Sequence, residues 1–161
     1  MIAPGLDVLF CGINPGLYTA AIGHHFGRPG NRFWKLLHLA AFTPRELSPY
    51  EERELLRYGC GVTNLVNVAT ARADELDPAD LVRGGARLRR TVRRWRPRAV
   101  AVLGMDAYRT AFGLRRVAVG RQTDPLEGAA VWVLPSPSGL QARYQLPELV
   151  RLFRALRRAT R

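Results

Sequence analysis

Apolar residues recur along this chain in two patterns. In some stretches every position is apolar, as in Val8-Leu9-Phe10-Cys11, Ala99-Val100-Ala101-Val102-Leu103 and Val131-Trp132-Val133-Leu134. Short unbroken runs of this kind fit strands buried on both faces. They predict strands over residues 6–11, 99–103 and 131–134, with a further strand over 61–68. Elsewhere apolar positions return every three or four residues, which is the period of a helix with one buried face. Leu81, Gly85, Leu88, Val92 and Trp95 form one such stripe, and Leu149, Leu152, Phe153 and Leu156 form another.

Polar punctuation sets the boundaries. Asn31 is placed to cap a helix running to about residue 41. Ser48, Pro49 and Glu51 supply a cap, a first-turn proline and a capping-box acid for a helix ending near Tyr58 and Gly59. Asp77, Pro78 and Asp80 open a long helix to Trp95, and Pro97 prevents its continuation. A short helix over 106–112 ends at Gly113, and Pro147 starts the last one. Residues 14–30 read as a glycine-rich loop. The order β-α-α-β-α-β-α-β-α predicts an α/β fold. The expected form is a three-layer α/β/α sandwich around a short, mostly parallel four-stranded sheet, in one domain over residues 1–161.

Composition narrows the function classes. Hydrophobic residues make up 47% of 161, enough for a real core. No run is long and apolar enough for a bilayer, and the chain enters its first strand without a secretory leader. A cytoplasmic, nucleoid-associated protein with no membrane partner is the expectation. The formal charge of +12 points to a polyanionic partner, nucleic acid first. Arg83, Arg87, Arg90 and Arg94 add a basic stripe to the long helix; Arg151, Arg154, Arg157, Arg158 and Arg161 do the same for the last. Each arginine alone fits a solvated face, whereas the excess as a whole fits diffuse attraction to DNA.

Cysteine and lysine usage excludes some chemistry. Cys11 and Cys60 are the only cysteines and read as buried reduced thiols; no Cys/His spacing suggests a metal, and no cofactor is implied. Lys35 is the only lysine and follows Trp34, so a phosphate-binding P-loop is excluded. A Schiff base would have to use Lys35 or the amino terminus. No Gly-x-Gly-x-x-Gly follows the first strand.

Two strands end in rigid Pro/Gly loops: Gly12-Ile13-Asn14-Pro15-Gly16 and Leu134-Pro135-Ser136-Pro137-Ser138-Gly139-Leu140. In an open α/β sheet, ligands bind at such strand ends. Together with Asn31-Arg32-Phe33-Trp34-Lys35 and Cys60-Gly61-Val62-Thr63, these blocks stand in one order across nearly the whole chain. In that order the chain resembles the mismatch-specific uracil/thymine-DNA glycosylases of the uracil-DNA glycosylase superfamily.

The resemblance implies a monofunctional enzyme that hydrolyses the N-glycosidic bond of uracil in double-stranded DNA, chiefly in G:U mismatches, as a monomer. It implies that Asn14 positions the hydrolytic water and that Ile13 and Phe26 contact the base. Pro137-Ser138-Gly139-Leu140 matches the loop that enters the duplex, with Ser138, Gly139, Leu140 as apolar wedge, and Arg143 as a nearby cation. The residues themselves leave alternatives open. Asn14 also fits a turn before Pro15, and Phe26 also fits core packing. Asn31 fits either a helix cap or a base contact. Asn64 stands where it can place sugar or water. Asp74 and Glu75 lack an evident capping role, so either one, Asp74 first, fits a carboxylate that activates the water, or both are solvated loop acids. Tyr18 is placed to narrow the pocket near C5 of the base. Two other readings keep the fold: a glycosylase for hypoxanthine or xanthine, or a nucleic-acid-binding module without catalysis.

Overall fold

The computed structural model describes residues 1–139 and 143–161. Its frame is a five-stranded sheet in the order β2-β1-β3-β5-β4. Four strands run parallel: β1 (Val8–Gly12), β2 (Cys60–Asn64), β3 (Ala99–Leu103) and β5 (Ala130–Leu134). The fifth, β4 (Gly120–Arg121), lies antiparallel to β5 at the edge. The helices are α1 (Leu17–Ile22), α2 (Phe33–Leu39), α3 (Pro78–Trp95), α4 (Met105–Ala111) and α5 (Leu146–Thr160), with 3-10 helices at Pro49–Tyr58 and Ala73–Glu75. Among the described residues, no helix is long and apolar enough to cross a membrane.

Successive strand residues point to opposite faces, and the unbroken apolar runs therefore feed two cores. Val8, Phe10, Val62, Ala101, Leu103 and Leu134 pack beneath α2, the first 3-10 helix and α5. Leu9, Cys11, Val100, Val102, Val131 and Val133 pack beneath α3 and α4. Helices thus cover both faces of the sheet, giving the expected three layers. Phe10 anchors the first core, edge-on to Phe33 and Phe42 at 5.4 Å from each.

The sheet has five strands where the sequence predicts four. β4 pairs only Gly120 with Val133 and Arg121 with Trp132, too short a contact to leave a periodic signal. The predicted loop over 14–30 contains α1, which buries none of its residues and so shows no apolar stripe. Its signal is its punctuation: Gly16 precedes it, and Gly23 closes it in the left-handed conformation with its N–H on Thr19 O. β2 stops at Asn64 rather than at residue 68. Leu65 and Val66 still donate to Gly12 O and Ile13 O, both at 2.9 Å, but the chain then leaves the sheet. The 49–58 element is a 3-10 helix, opened as expected by Ser48, whose N–H donates to Glu51 Oε1 at 3.0 Å.

Two glycines bring α3 close to its neighbours. A side chain at Gly84 would collide with Leu65 O, and one at Gly85 would come 2.7 Å from Ala111 O. The helix can therefore lie directly against the end of β2 and the end of α4. From β1 the chain passes to β2 on one side, whereas β3 and β5 extend the sheet on the other. The connections diverge at the carboxyl ends of β1 and β3, the position at which open α/β sheets leave a crevice.

Candidate functional site

Two cavities open at these carboxyl ends. Ile13, Arg72, Ala73, Ser136 and Ser138 line both and form the wall between them. The smaller is a cleft of about 110 Å³, bordered by the loop after β1, by Phe26 and Asn31, and by Asn64 and Thr70. Its floor is Gly12. A Cβ there would stand 2.6 Å from Asn64 Oδ1 and 3.2 Å from Phe26 Cζ, so only glycine lets these two side chains meet over the end of β1. Gly12 and Asn64 are register partners in the parallel ladder.

Asn14 is held by its amide nitrogen. Nδ2 donates to Val68 O and to Thr70 Oγ1, both at 2.8 Å. A carbonyl oxygen only accepts, so the –NH₂ end must face Val68. Oδ1 is left toward the cleft with no partner among the described residues. Asn31 is turned the other way. Its Oδ1 accepts from the N–H of Phe33, the first residue of α2, at 2.9 Å, and its –NH₂ end is the group left for the cleft. The cap position itself falls to Arg32 and not to Asn31, which holds the helix start from one residue earlier. One fixed amide offers an acceptor and the other a donor.

Phe26 has φ +52°, uncommon for a residue with a side chain. Its neighbours impose this conformation. His25 N donates to Glu52 Oε2 at 2.8 Å, His25 O accepts from Trp34 Nε1 at 3.3 Å, and the Phe26 ring stacks on Phe33 at 4.0 Å. Burial pushes the Glu52 carboxyl up, but the hydrogen bonds from His25 outweigh it and hold the group below its ordinary value. Phe26 thus belongs both to the core and to the cleft wall. Cys11, beneath the cleft, is fully buried and its thiol is pushed up to about 12, which removes it from thiolate chemistry.

The larger cavity, about 520 Å³, runs between Ile13, Gly104, Met105, Tyr144 and the turn at 73–75. Asp74 lines this cavity and not the cleft of Asn14. Its side chain is 71% exposed and pairs with Arg72 Nε at 3.3 Å. Glu75 has the capping role the sequence did not reveal: Oε1 accepts from Arg72 N at 3.1 Å. The structure therefore does not bring either acid to Asn14, because the turn directs both toward Arg72. Tyr18 is exposed on α1 and lines neither cavity, contrary to the expectation of a narrowed pocket.

The second loop stands across from these groups. Ser138 N donates to Ser136 Oγ at 3.3 Å. Gly139 is pressed against the first wall, where a Cβ would lie 2.8 Å from Gly30 O. Arg143 lines the larger cavity with its guanidinium 5.8 Å from the Tyr144 ring centre. Leu140 lies outside the described residues.

Sequence reasoning missed the residue that ties these walls together. Arg32 donates from its backbone N to Pro137 O at 3.0 Å, from Nη1 to Tyr144 O at 2.8 Å and from Nη2 to Ser138 O at 3.2 Å. Its planar fork reaches carbonyls on both sides of 140–142. Nothing short of the fold reveals this, since its partners are main-chain atoms more than a hundred positions away. Arg87 falls in the basic stripe of α3, yet it donates to Asn64 O at 2.9 Å and Leu65 O at 2.7 Å and fixes the end of β2.

The five residues Ile13, Asn14, Phe26, Asn31 and Asn64 thus converge on one cleft, from the segment between β1 and α2 and from the last residue of β2. The family model of the uracil DNA glycosylase superfamily matches residues 1–157. A match over almost the whole length, on this fold and with the strand-end cleft at its centre, places the chain in the uracil DNA glycosylase superfamily, as a DNA glycosylase, a hydrolase of DNA repair.

Proposed function

We propose that this chain is a monofunctional uracil-DNA glycosylase of the mismatch-specific kind, acting as a monomer on uracil opposite guanine and leaving an abasic site. The observation that carries this reading is the pair of oppositely fixed amides. Base departure leaves positive charge on the sugar and negative charge on the base. Asn14 Oδ1 is an acceptor that orients a water at C1′. Asn31 Nδ2 is a donor for the base as it gains charge. The C1′–N1 bond breaks with its electron pair on N1. The water oxygen then bonds to C1′, and its lost proton ends on the uracil anion.

An amide positions water but does not take its proton strongly. Uracil is a leaving group that tolerates this, which favours uracil over poorer leaving bases. Phe26 supplies the ring on which the extruded base stacks, and Asn64 borders the same space. Asp74, paired with Arg72 over the neighbouring cavity, has no part in this scheme. Lys35, the chain's only lysine, is exposed on α2 and lines neither cavity. No lysine is placed for a Schiff base, so hydrolysis without strand cleavage is the expected outcome.

The test is excision under single-turnover conditions on duplexes carrying U:G, U:A, T:G, hypoxanthine or xanthine. Product is read as strand breaks with and without alkali. Uracil release from U:G that needs alkali to appear as a break supports the reading. Preference for hypoxanthine or xanthine, or breaks without alkali, overturns it.

A further inference from the structure

The charge of this protein sits at the wrong end for its cleft. The larger cavity is lined by two arginines, Arg72 and Arg143, and two aspartates, Asp74 and Asp106. The cleft adds only Arg28. Most of the formal charge of +12 is therefore carried elsewhere.

The topology says where. α3 and α5 follow parallel strands, so each returns from the carboxyl edge of the sheet to its amino edge. Their last turns meet the beginnings of the strands: Gly5 N donates to Trp95 O at 3.1 Å and Arg98 N to Leu6 O at 2.8 Å. Cys60, the first residue of β2, lies in the fields of Asp7 and Arg157. Arg57, Arg94, Arg96, Arg98, Arg158 and Arg161 are all exposed at this pole. Among the described residues, only Arg98 of these six has a carboxylate partner, Asp7 at 3.5 Å. Elsewhere on α3, Arg83 pairs with Asp80, and Arg89 and Arg93 share Glu127.

We infer that this amino-edge pole is a second binding surface, for the phosphate backbone of duplex DNA, separate from the catalytic cleft. A cluster of guanidinium groups with one counter-charge is a site of high positive potential, and phosphate contacts require no base to be read. The pole faces away from the cleft, so one molecule holds a second segment of duplex while the first is at the cleft. The inference rests on membership in a DNA-acting superfamily and not on the identity of the excised base.

The experiment uses undamaged DNA. Beads carrying one duplex are mixed with a labelled free duplex and the full-length protein, and retained label reports bridging; mass photometry records whether the protein is a monomer. Arg94→Gln, Arg96→Gln, Arg158→Gln and Arg161→Gln together should cut bridging tenfold or more. Each lost phosphate contact should flatten the slope of log K against log salt by about 0.9. Excision by saturating enzyme should stay within twofold of the parent. The four corresponding lysine substitutions should preserve bridging, because the contact requires charge. Unchanged bridging in the glutamine variant overturns the inference. So does a parallel loss of excision, which would place these residues in the substrate footprint. A parent that binds anionic phospholipid vesicles but does not bridge duplexes also overturns it. A protein that excises nothing yet loses bridging in the glutamine variant refutes the proposed chemistry and leaves the second surface standing.

Discussion

Asn14 and Asn31 show how a neutral residue acquires a direction. An amide alone offers both a donor and an acceptor; here the main chain uses one end of each and leaves the other to the cleft. Asn14→Ala should therefore remove water positioning, together with the two bonds from Nδ2 to the 68–70 segment. A loss of a hundredfold or more in single-turnover rate is expected, of the order seen when one oriented hydrogen-bonding group is removed from an active site. DNA affinity should hold within about threefold. Asp74→Asn should leave the same rate within about twofold. Equal rates for Asn14→Ala and the parent, or a tenfold loss in Asp74→Asn, would reverse the two assignments. Of these residues the sequence discloses Asn14 and Phe26 through their loops. It conceals Glu75 and Arg32, whose partners are backbone atoms that only the fold brings near.

At the scale of elements, legibility follows burial. The strands and the long helix are readable because two cores demand apolar residues at fixed periods. α1 and β4 bury little, so propensity and periodicity leave no trace of them, and within the sheet β4 pairs with β5 alone. α3 shows a subtler limit. Its stripe includes Gly85, but Gly84 is equally constrained, because a main-chain oxygen and not a side chain is the neighbour. Gly84→Ala improves helix propensity and yet should destabilise the protein, since Leu65 O cannot swing aside. Overpacking of this kind costs about 1–3 kcal/mol, or roughly 2–10 °C in Tm for a chain of this size. A rise in Tm would show that α3 has room to move.

At the scale of the molecule, the two cysteines report on the integrity of both cores. Burial pushes Cys11 and Cys60 up to about 12 from an ordinary 9.0. The folded state favours the protonated thiol, so their contribution to stability is full below pH 9 and declines as pH rises toward 12. Neither thiol should react with a disulfide reagent at pH 8 in the native protein, and both should react within minutes in denaturant. Rapid native labelling of one would locate an open core. The net charge was legible from composition, but its place was not. Composition counts arginines, whereas the direction of α3 and α5 decides which end of the sheet they reach.

The Arg32 tie has a consequence for how such a protein changes over time. Its guanidinium grips Pro137, Ser138 and Tyr144 only by their carbonyl oxygens, atoms that every residue possesses. These three anchors are thereby independent of the side chains at positions 137, 138 and 144. Arg32→Lys, which lacks the planar fork, should release these carbonyls together and lower Tm, read by thermal unfolding. One side chain thus fixes its loop through the main chain, whatever side chains the gripped positions carry.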